Sequence, residues 1–196
     1  NDKLPPETHH GGKFFAFGPD GKLYVPIGAP CNICDPGPDH GKLIRMNADG
    51  SGVEDVARGI RNTVGFDWQP GTNHPWFTDN GRDMLGDDRP SDELNEIIRP
   101  GEHFGYPYCH QGDTLDPELG KGRNCQDYVP PVLKLGAHVA SLGMRFYEGR
   151  QFPAGYRGAI IVTNKSGHRV MTVRLNGSKV LSYEPLVTGF EQNDSA

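Results

Sequence analysis

No stretch of this chain approaches the roughly 18 consecutive apolar residues that a membrane-crossing helix needs, so no membrane span is expected. Positive charge is not in excess either. With 20 Lys and Arg against 25 Asp and Glu, the net charge is -5 and the cations are scattered, which argues against nucleic acid as the main partner. Apolar residues are scarce, at 35% of the chain, which suits short strands joined by polar loops better than a helical bundle. The first six residues hold neither the basic stretch nor the apolar core of a secretory signal, so the sequence reads as one with a processed or truncated start.

Cysteines are few: four, in two local pairs, Cys31 with Cys34 and Cys109 with Cys125. Haem attachment wants His after the second Cys of a CxxC, and Asp35 stands there instead. A four-cysteine zinc site wants a second CxxC, which the second pair does not supply. Two disulfides, and with them an oxidising compartment, are the leading reading; free thiols and a metal stay open behind it.

What the chain has in abundance is turn residues, 27 Gly and 17 Pro. They punctuate a repeat. The run from Phe14 to Gly28 is two short apolar segments joined by Pro19-Asp20-Gly21, in which Pro presets one turn dihedral and Gly accepts a positive φ. Val64–Asn80 and Leu142–Thr163 repeat the plan. The first and third hairpins are each followed by a second strand pair (Gly41–Asn47 with Val53–Gly59, and Arg169–Asn176 with Lys179–Gly189), and Asp92–Arg99 offers a third strand to the middle unit. A four-stranded antiparallel unit repeated along a chain predicts an all-β fold, a β-propeller. Three blades are expected near 13–60, 62–110 and 141–190, with a polar insertion over 111–140. Three blades do not close a ring of the usual four to eight, so the sequence is expected to be part of a single propeller domain, with exposed edges that favour a homodimer unless the rest of the ring is present.

Several segments occur in a fixed order: Thr8-His-His-Gly-Gly-Lys-Phe14, Arg61-Asn-Thr-Val-Gly-Phe-Asp-Trp68, Trp76-Phe-Thr-Asp-Asn-Gly-Arg-Asp83, Asp92-Glu-Leu-Asn95 and His103-Phe-Gly-Tyr-Pro107. That series resembles the signature of the soluble glucose/sorbosone dehydrogenases, and Ala137–Tyr147 with Phe152–Arg157 is most similar to the sorbosone dehydrogenase branch. The resemblance implies a six-bladed propeller, of which this chain is about half, and an enzyme that oxidises an aldose or ketoaldose with pyrroloquinoline quinone (PQQ) and Ca2+ and passes the electrons to an external acceptor. Its compartment would be periplasmic or extracellular.

The chemistry explains why these residue types are needed. No side chain accepts a hydride, so a cofactor must. A histidine near its unperturbed pKa of about 6.5 can take the sugar's hydroxyl proton; spacing to Gly12 matches His9 to the family base. The quinone's carboxylates want a guanidinium fork and amide donors, which the resemblance assigns to Arg61 and Asn62, with Asn80 and Lys165 as further contacts. Calcium acts there as a Lewis acid held by two consecutive backbone carbonyls, matching Gly81 and Arg82. Where the glucose-oxidising branch has Pro, this chain has Arg82, which leaves the stiffness of that loop to be accounted for. A second, structural calcium would take Asp92, Glu93, the Phe104 carbonyl and Asp113. The turn Asn164–His168 is shorter than the sorbosone branch's loop, and the family's later arginine pair would fall beyond residue 196. Two other functions compete: a calcium-stabilised extracellular propeller that only binds, and a metal-dependent lactonase, for which no converging trio of acids is evident.

Overall fold

The computed structural model describes residues 4–12 and 14–190; residue 13, the expected start of the first blade, lies outside them. The chain builds three antiparallel sheets in succession. The first holds β1 (Ala16–Phe17), β2 (Leu23–Ile27), β3 (Lys42–Met46) and β4 (Glu54–Arg58). The second starts with β5 (Phe66–Trp68), β6 (Pro75–Asp79) and β7 (Ser91–Glu96). The chain then leaves on an excursion through three two-residue strands. Of these, β8 (Glu102–His103) adds in parallel to the edge of β4, while β9 (Cys109–His110) and β10 (Thr114–Leu115) pair with each other. It returns as β11 (Leu133–Ala137), which pairs antiparallel with β7 and completes the second sheet. The third sheet is β12 (Ser141–Phe146), β13 (Ile160–Asn164), β14 (Arg169–Asn176) and β15 (Lys179–Val187), in sequence order.

These are the four-stranded blades of a β-propeller. The expected hairpins fall where Pro19-Asp20-Gly21 and Gly177-Ser178 turn the chain, with Gly21 and Gly177 both at positive φ. One boundary differs. The stretch 111–140, expected to be an insertion, gives its last strand to the middle blade, because β7 would otherwise be a bare edge. Periodicity missed this strand because Leu133-Lys-Leu-Gly-Ala137 is short and its register shifts between Lys134 and Gly136.

Side chains alternate across the strands, so each blade feeds two cores. On β6, Phe77 packs towards the first sheet, among Leu43, Val56, Phe66 and Phe104. Its neighbour Trp76 points the other way, joining Leu94, Leu135, Phe146, Ile160 and Val162. Both aromatics are fully buried, and each stabilises the stack by about 1.5–3 kcal/mol on burial alone.

The same alternation of chain direction sorts the connections. Every second link emerges at the same end of the sheets: β2 to β3, β4 to β5, β6 to β7, β11 to β12 and β13 to β14. At that end the leading strands of the second and third sheets touch. A Cβ on Gly65 would lie 2.6 Å from the Met144 nitrogen and closer still to the Leu142 carbonyl. Both obstacles are backbone, so neither can swing away. The Gly65→Ala variant is expected to lose about 1–3 kcal/mol of unfolding free energy, read as a lower denaturant midpoint; an unchanged midpoint would show that the two blades are not locked there.

Candidate functional site

The site is built from those same-end connections. Asp79, at the tip of β6, is buried, and its two carboxylate oxygens accept the backbone N–H groups of Arg61 (2.9 Å) and Asn62 (2.6 Å). This clamp fixes the segment entering β5. Arg61 is itself 5% exposed. Its Nη1 donates to the Asn80 carbonyl (3.1 Å), its Nε to the Asn32 carbonyl (3.2 Å) and its Nη2 to Asn32 Oδ1 (2.7 Å). Three of the five guanidinium N–H groups are thus engaged. Asn62 is half-buried, and its side-chain amide makes no hydrogen bond among the described residues. Asn80 braces instead: its Nδ2 donates to the carbonyls of Asn62 and Ser141, both at 3.0 Å.

The next turn holds Gly81 and Arg82. Gly81 N donates to Asp92 Oδ1 (3.0 Å), while the carbonyl oxygens of Gly81 and Arg82 accept no hydrogen bond among the described residues. Two adjacent unspent carbonyls are the donor type a hard cation takes. The Arg82 side chain supplies the stiffness that proline would have given. It is 2% exposed, donates to the Asp83 carbonyl, and forms ion pairs with Asp116 (2.5 Å) and Glu118 (2.9 Å) of the excursion. Burial opposes ionisation of Asp116. Even so, hydrogen bonds from His110, the Leu119 N–H, Arg82 and the Glu118 N–H hold its pKa down to about 2.

His9 and His10 form a turn above Gly28 and Ala29. His10 Nδ1–H donates to the Ala29 carbonyl (2.9 Å), and burial, helped by the Arg61 charge, lowers its pKa to about 4. His9 is exposed, its ring centroid 4.1 Å from that of His10. Lys165 is also exposed, in the turn from β13 to β14, and its N–H donates to the Ala140 carbonyl next to Ser141.

The four expected ligands of a structural calcium do not share one place. Asp92 and Glu93 are consecutive on β7 and so point to opposite faces. Asp92 spends its oxygens on the N–H groups of Gly81 and Ser141, tying the second blade to the third. Asp113 is at the surface, paired with Lys134. Only Glu93 and Phe104 line one small cavity, together with Asp79, Arg61 and His110. No group of three His, Cys, Asp or Glu side chains is gathered as a metal cage among the described residues.

Asp79 was overlooked in the sequence, although an acid ending an apolar strand is a signal. It is the cross-strand partner of Glu93. Burial raises both pKa values, Asp79 to about 7 and Glu93 to about 8, and like-charge repulsion from Asp79 and Asp92 adds to the shift of Glu93. On the same face of β7, Asn95 donates to Glu93 (3.0 Å) and leaves its own Oδ1 buried without a partner. Two buried carboxylates and an orphaned amide oxygen fit a hard cation better than they fit each other.

The family described as Glucose / Sorbosone dehydrogenase matches residues 2–193. An uncharacterised protein of Borreliella burgdorferi is 32% identical over 95% of this chain and 52% of its own length. The aldose sugar dehydrogenase YliI of Escherichia coli is 28% identical over 91% and 51%. The PQQ-bound aldose sugar dehydrogenase of Streptomyces coelicolor superposes with a TM-score of 0.67 at 24% identity, covering 89% of this chain and 48% of that one; the likeness shows a shared fold. The chain spans about half the length of the relatives it matches.

The carboxylate pair generates a prediction. A raised acid pKa means that the folded state holds protons the unfolded state has released. The resulting stabilisation is complete below about pH 4 and is lost as pH rises through about 7 and 8. Metal-stripped protein should therefore melt at a higher temperature near about pH 5 than near about pH 8. Calcium should stabilise it most at the higher pH, and Glu93→Gln should flatten both trends. Melting that is indifferent to calcium at either pH would dismiss this cavity as a cation site.

Proposed function

The chain belongs to the glucose/sorbosone dehydrogenase family, and from that membership we propose that it is part of a PQQ- and calcium-dependent enzyme oxidising an aldose or a sorbosone-like ketoaldose. The reading is carried by one observation: exposed His9, the unspent N–H groups of Arg61 and Asn62, and the free carbonyls of Gly81 and Arg82 all emerge at one end of the blades.

When bound, the quinone supplies a hydride acceptor and calcium the Lewis acid that polarises it. The chain's own groups do the rest. His9 removes the proton from the sugar hydroxyl, its ring steadied by the anchored ring of His10. Arg61 presents its two remaining N–H groups, and Asn62 its free amide, to carboxylate and carbonyl oxygens. Lys165 supplies a cation from the third blade, and Asn80 holds the two walls apart at a fixed spacing. Gly81 and Arg82 present the carbonyls for calcium, on a turn that the Arg82 ion pairs keep rigid. For the structural cation, Glu93, the Phe104 carbonyl and Asp79 fit better than Asp92 or Asp113, because those three residues line one cavity that neither Asp92 nor Asp113 lines.

Two disulfides, Cys31–Cys34 and Cys109–Cys125, support a periplasmic or secreted setting. No helix of the described residues is long and apolar enough to cross a membrane. Along β1 the edge is apolar, with Phe15 63% and Phe17 60% exposed, which supports contact with further blades or with a second copy. An external electron acceptor is needed to complete turnover.

In the natural protein, sugar-dependent dye reduction should require both quinone and calcium, and His9→Ala should lower kcat roughly 10²- to 10⁴-fold. No dye reduction with any aldose, ketoaldose or sugar alcohol, and no quinone binding, would leave a propeller that only binds.

A further inference from the structure

Arg61 is held by something the quinone chemistry does not call for. The β2–β3 connection, residues 28–41, contains a small ring closed by the Cys31–Cys34 disulfide, and Asn32 lies inside that ring. Asn32 makes four contacts. Its carbonyl accepts Arg61 Nε–H (3.2 Å) and the Tyr106 hydroxyl (3.4 Å). Its side-chain Oδ1 accepts Arg61 Nη2–H (2.7 Å) and the backbone N–H of Asp83 (2.9 Å). Asn32 therefore touches both the guanidinium and the turn that carries the Gly81 and Arg82 carbonyls.

We propose that Asn32, fixed by the Cys31–Cys34 ring, is the positioning residue that sets Arg61 and the 81–83 turn in register for the quinone. The inference rests on the functional reading above. An arginine is free to swing on a long stem, and fixing such a side chain costs rotamer entropy. Paying that cost in the folded protein leaves the site preorganised, since placement errors near 1 Å are already damaging. The operative atom is the acceptor Oδ1; the Asn32 Nδ2 makes no hydrogen bond among the described residues. Aspartate keeps that acceptor at the same place and alanine removes it. The ring matters because a two-residue loop tied at both ends cannot move its central carbonyl and side chain independently of the chain that enters β3.

The test uses the natural protein with free PQQ and calcium, titrated by the change in quinone absorbance. Asn32→Ala should weaken quinone binding roughly tenfold or more, and Asn32→Asp should bind within about threefold of the parent. The sugar KM at saturating quinone should stay unchanged in both. Replacing both Cys31 and Cys34 by Ser should weaken quinone binding in the parent and add nothing further in the Asn32→Ala background. Quinone affinity unchanged in Asn32→Ala, an equal loss in Asn32→Asp, or a serine pair that is fully additive would each overturn the inference. A second readout does not depend on the quinone. In protein labelled with nitrogen-15 arginine, the Arg61 Nη2–H resonance should exchange slowly with solvent in the parent and in Asn32→Asp, and rapidly in Asn32→Ala. A parent that shows the slow resonance yet binds no quinone refutes the functional reading and leaves the positioning role standing; a resonance equally slow in Asn32→Ala refutes the positioning role.

Discussion

The arrangement depends on carboxylates that accept backbone N–H groups across the gaps between strands and blades. Asp79 fixes the entry to β5, Asp92 joins Gly81 to Ser141, and Asp67 accepts Phe146 N–H. A propeller blade ends in open loops whose amide groups have no ladder partner, and a buried amide left unpaired costs about 1–3 kcal/mol. An acid placed at a strand tip satisfies two such groups at once. Loops are thereby fixed as firmly as strands, which is what a site assembled from loops requires.

That solution has an electrostatic cost. Asp79 faces Glu93 directly across the β6–β7 ladder, both are buried, and Arg61 supplies an opposing charge to Asp79. Hydrogen bonds to Asp79 from Arg61 and Asn62 N–H, and to Glu93 from Gln111 N–H and Asn95, offset part of the desolvation penalty without removing it. Replacing either acid by a neutral residue would relieve the repulsion and lose the clamp. A cation in the cavity relieves the repulsion and keeps it. An attraction of this cavity for a cation would thus follow from the fold, separate from any part a metal takes in chemistry.

Much of this was legible in the sequence, where local rules govern. Hairpins followed from Pro19-Asp20-Gly21 and from the gap between Asn176 and Lys179, and the blades followed from the repetition of those strand pairs. What escaped was set by distance along the chain. Leu133–Ala137 joins the middle blade only because the excursion returns to β7, and nothing in five residues announces it. Asp113 lies near Glu93 in the fold but turns to Lys134 at the surface. Arg82 appeared to be a departure that loosened a loop; its partners, Asp116 and Glu118, stand more than thirty residues away, and they make it a brace. Asn32 was hidden between two cysteines that drew attention to themselves.

The two adjacent histidines show how burial divides labour between like residues. A general base works best with a pKa near the operating pH. His10 has been moved away from that range, to about 4, by burial and by the Arg61 charge, and its Nδ1–H is committed to the Ala29 carbonyl. It is neutral and anchored, poorly suited to accept a proton at neutral pH. Its backbone sits at φ 50°, in the left-handed region, directly over Gly28, where a Cβ would come within 2.6 Å of the His10 Cβ. Only glycine at 28 lets the turn close down. The strain at His10 and the bare backbone at Gly28 together push His9 outward, exposed and uncommitted, with its ring against an immobile neighbour. The base role proposed for His9 draws on that combination, exposure at the tip and rigidity one residue behind.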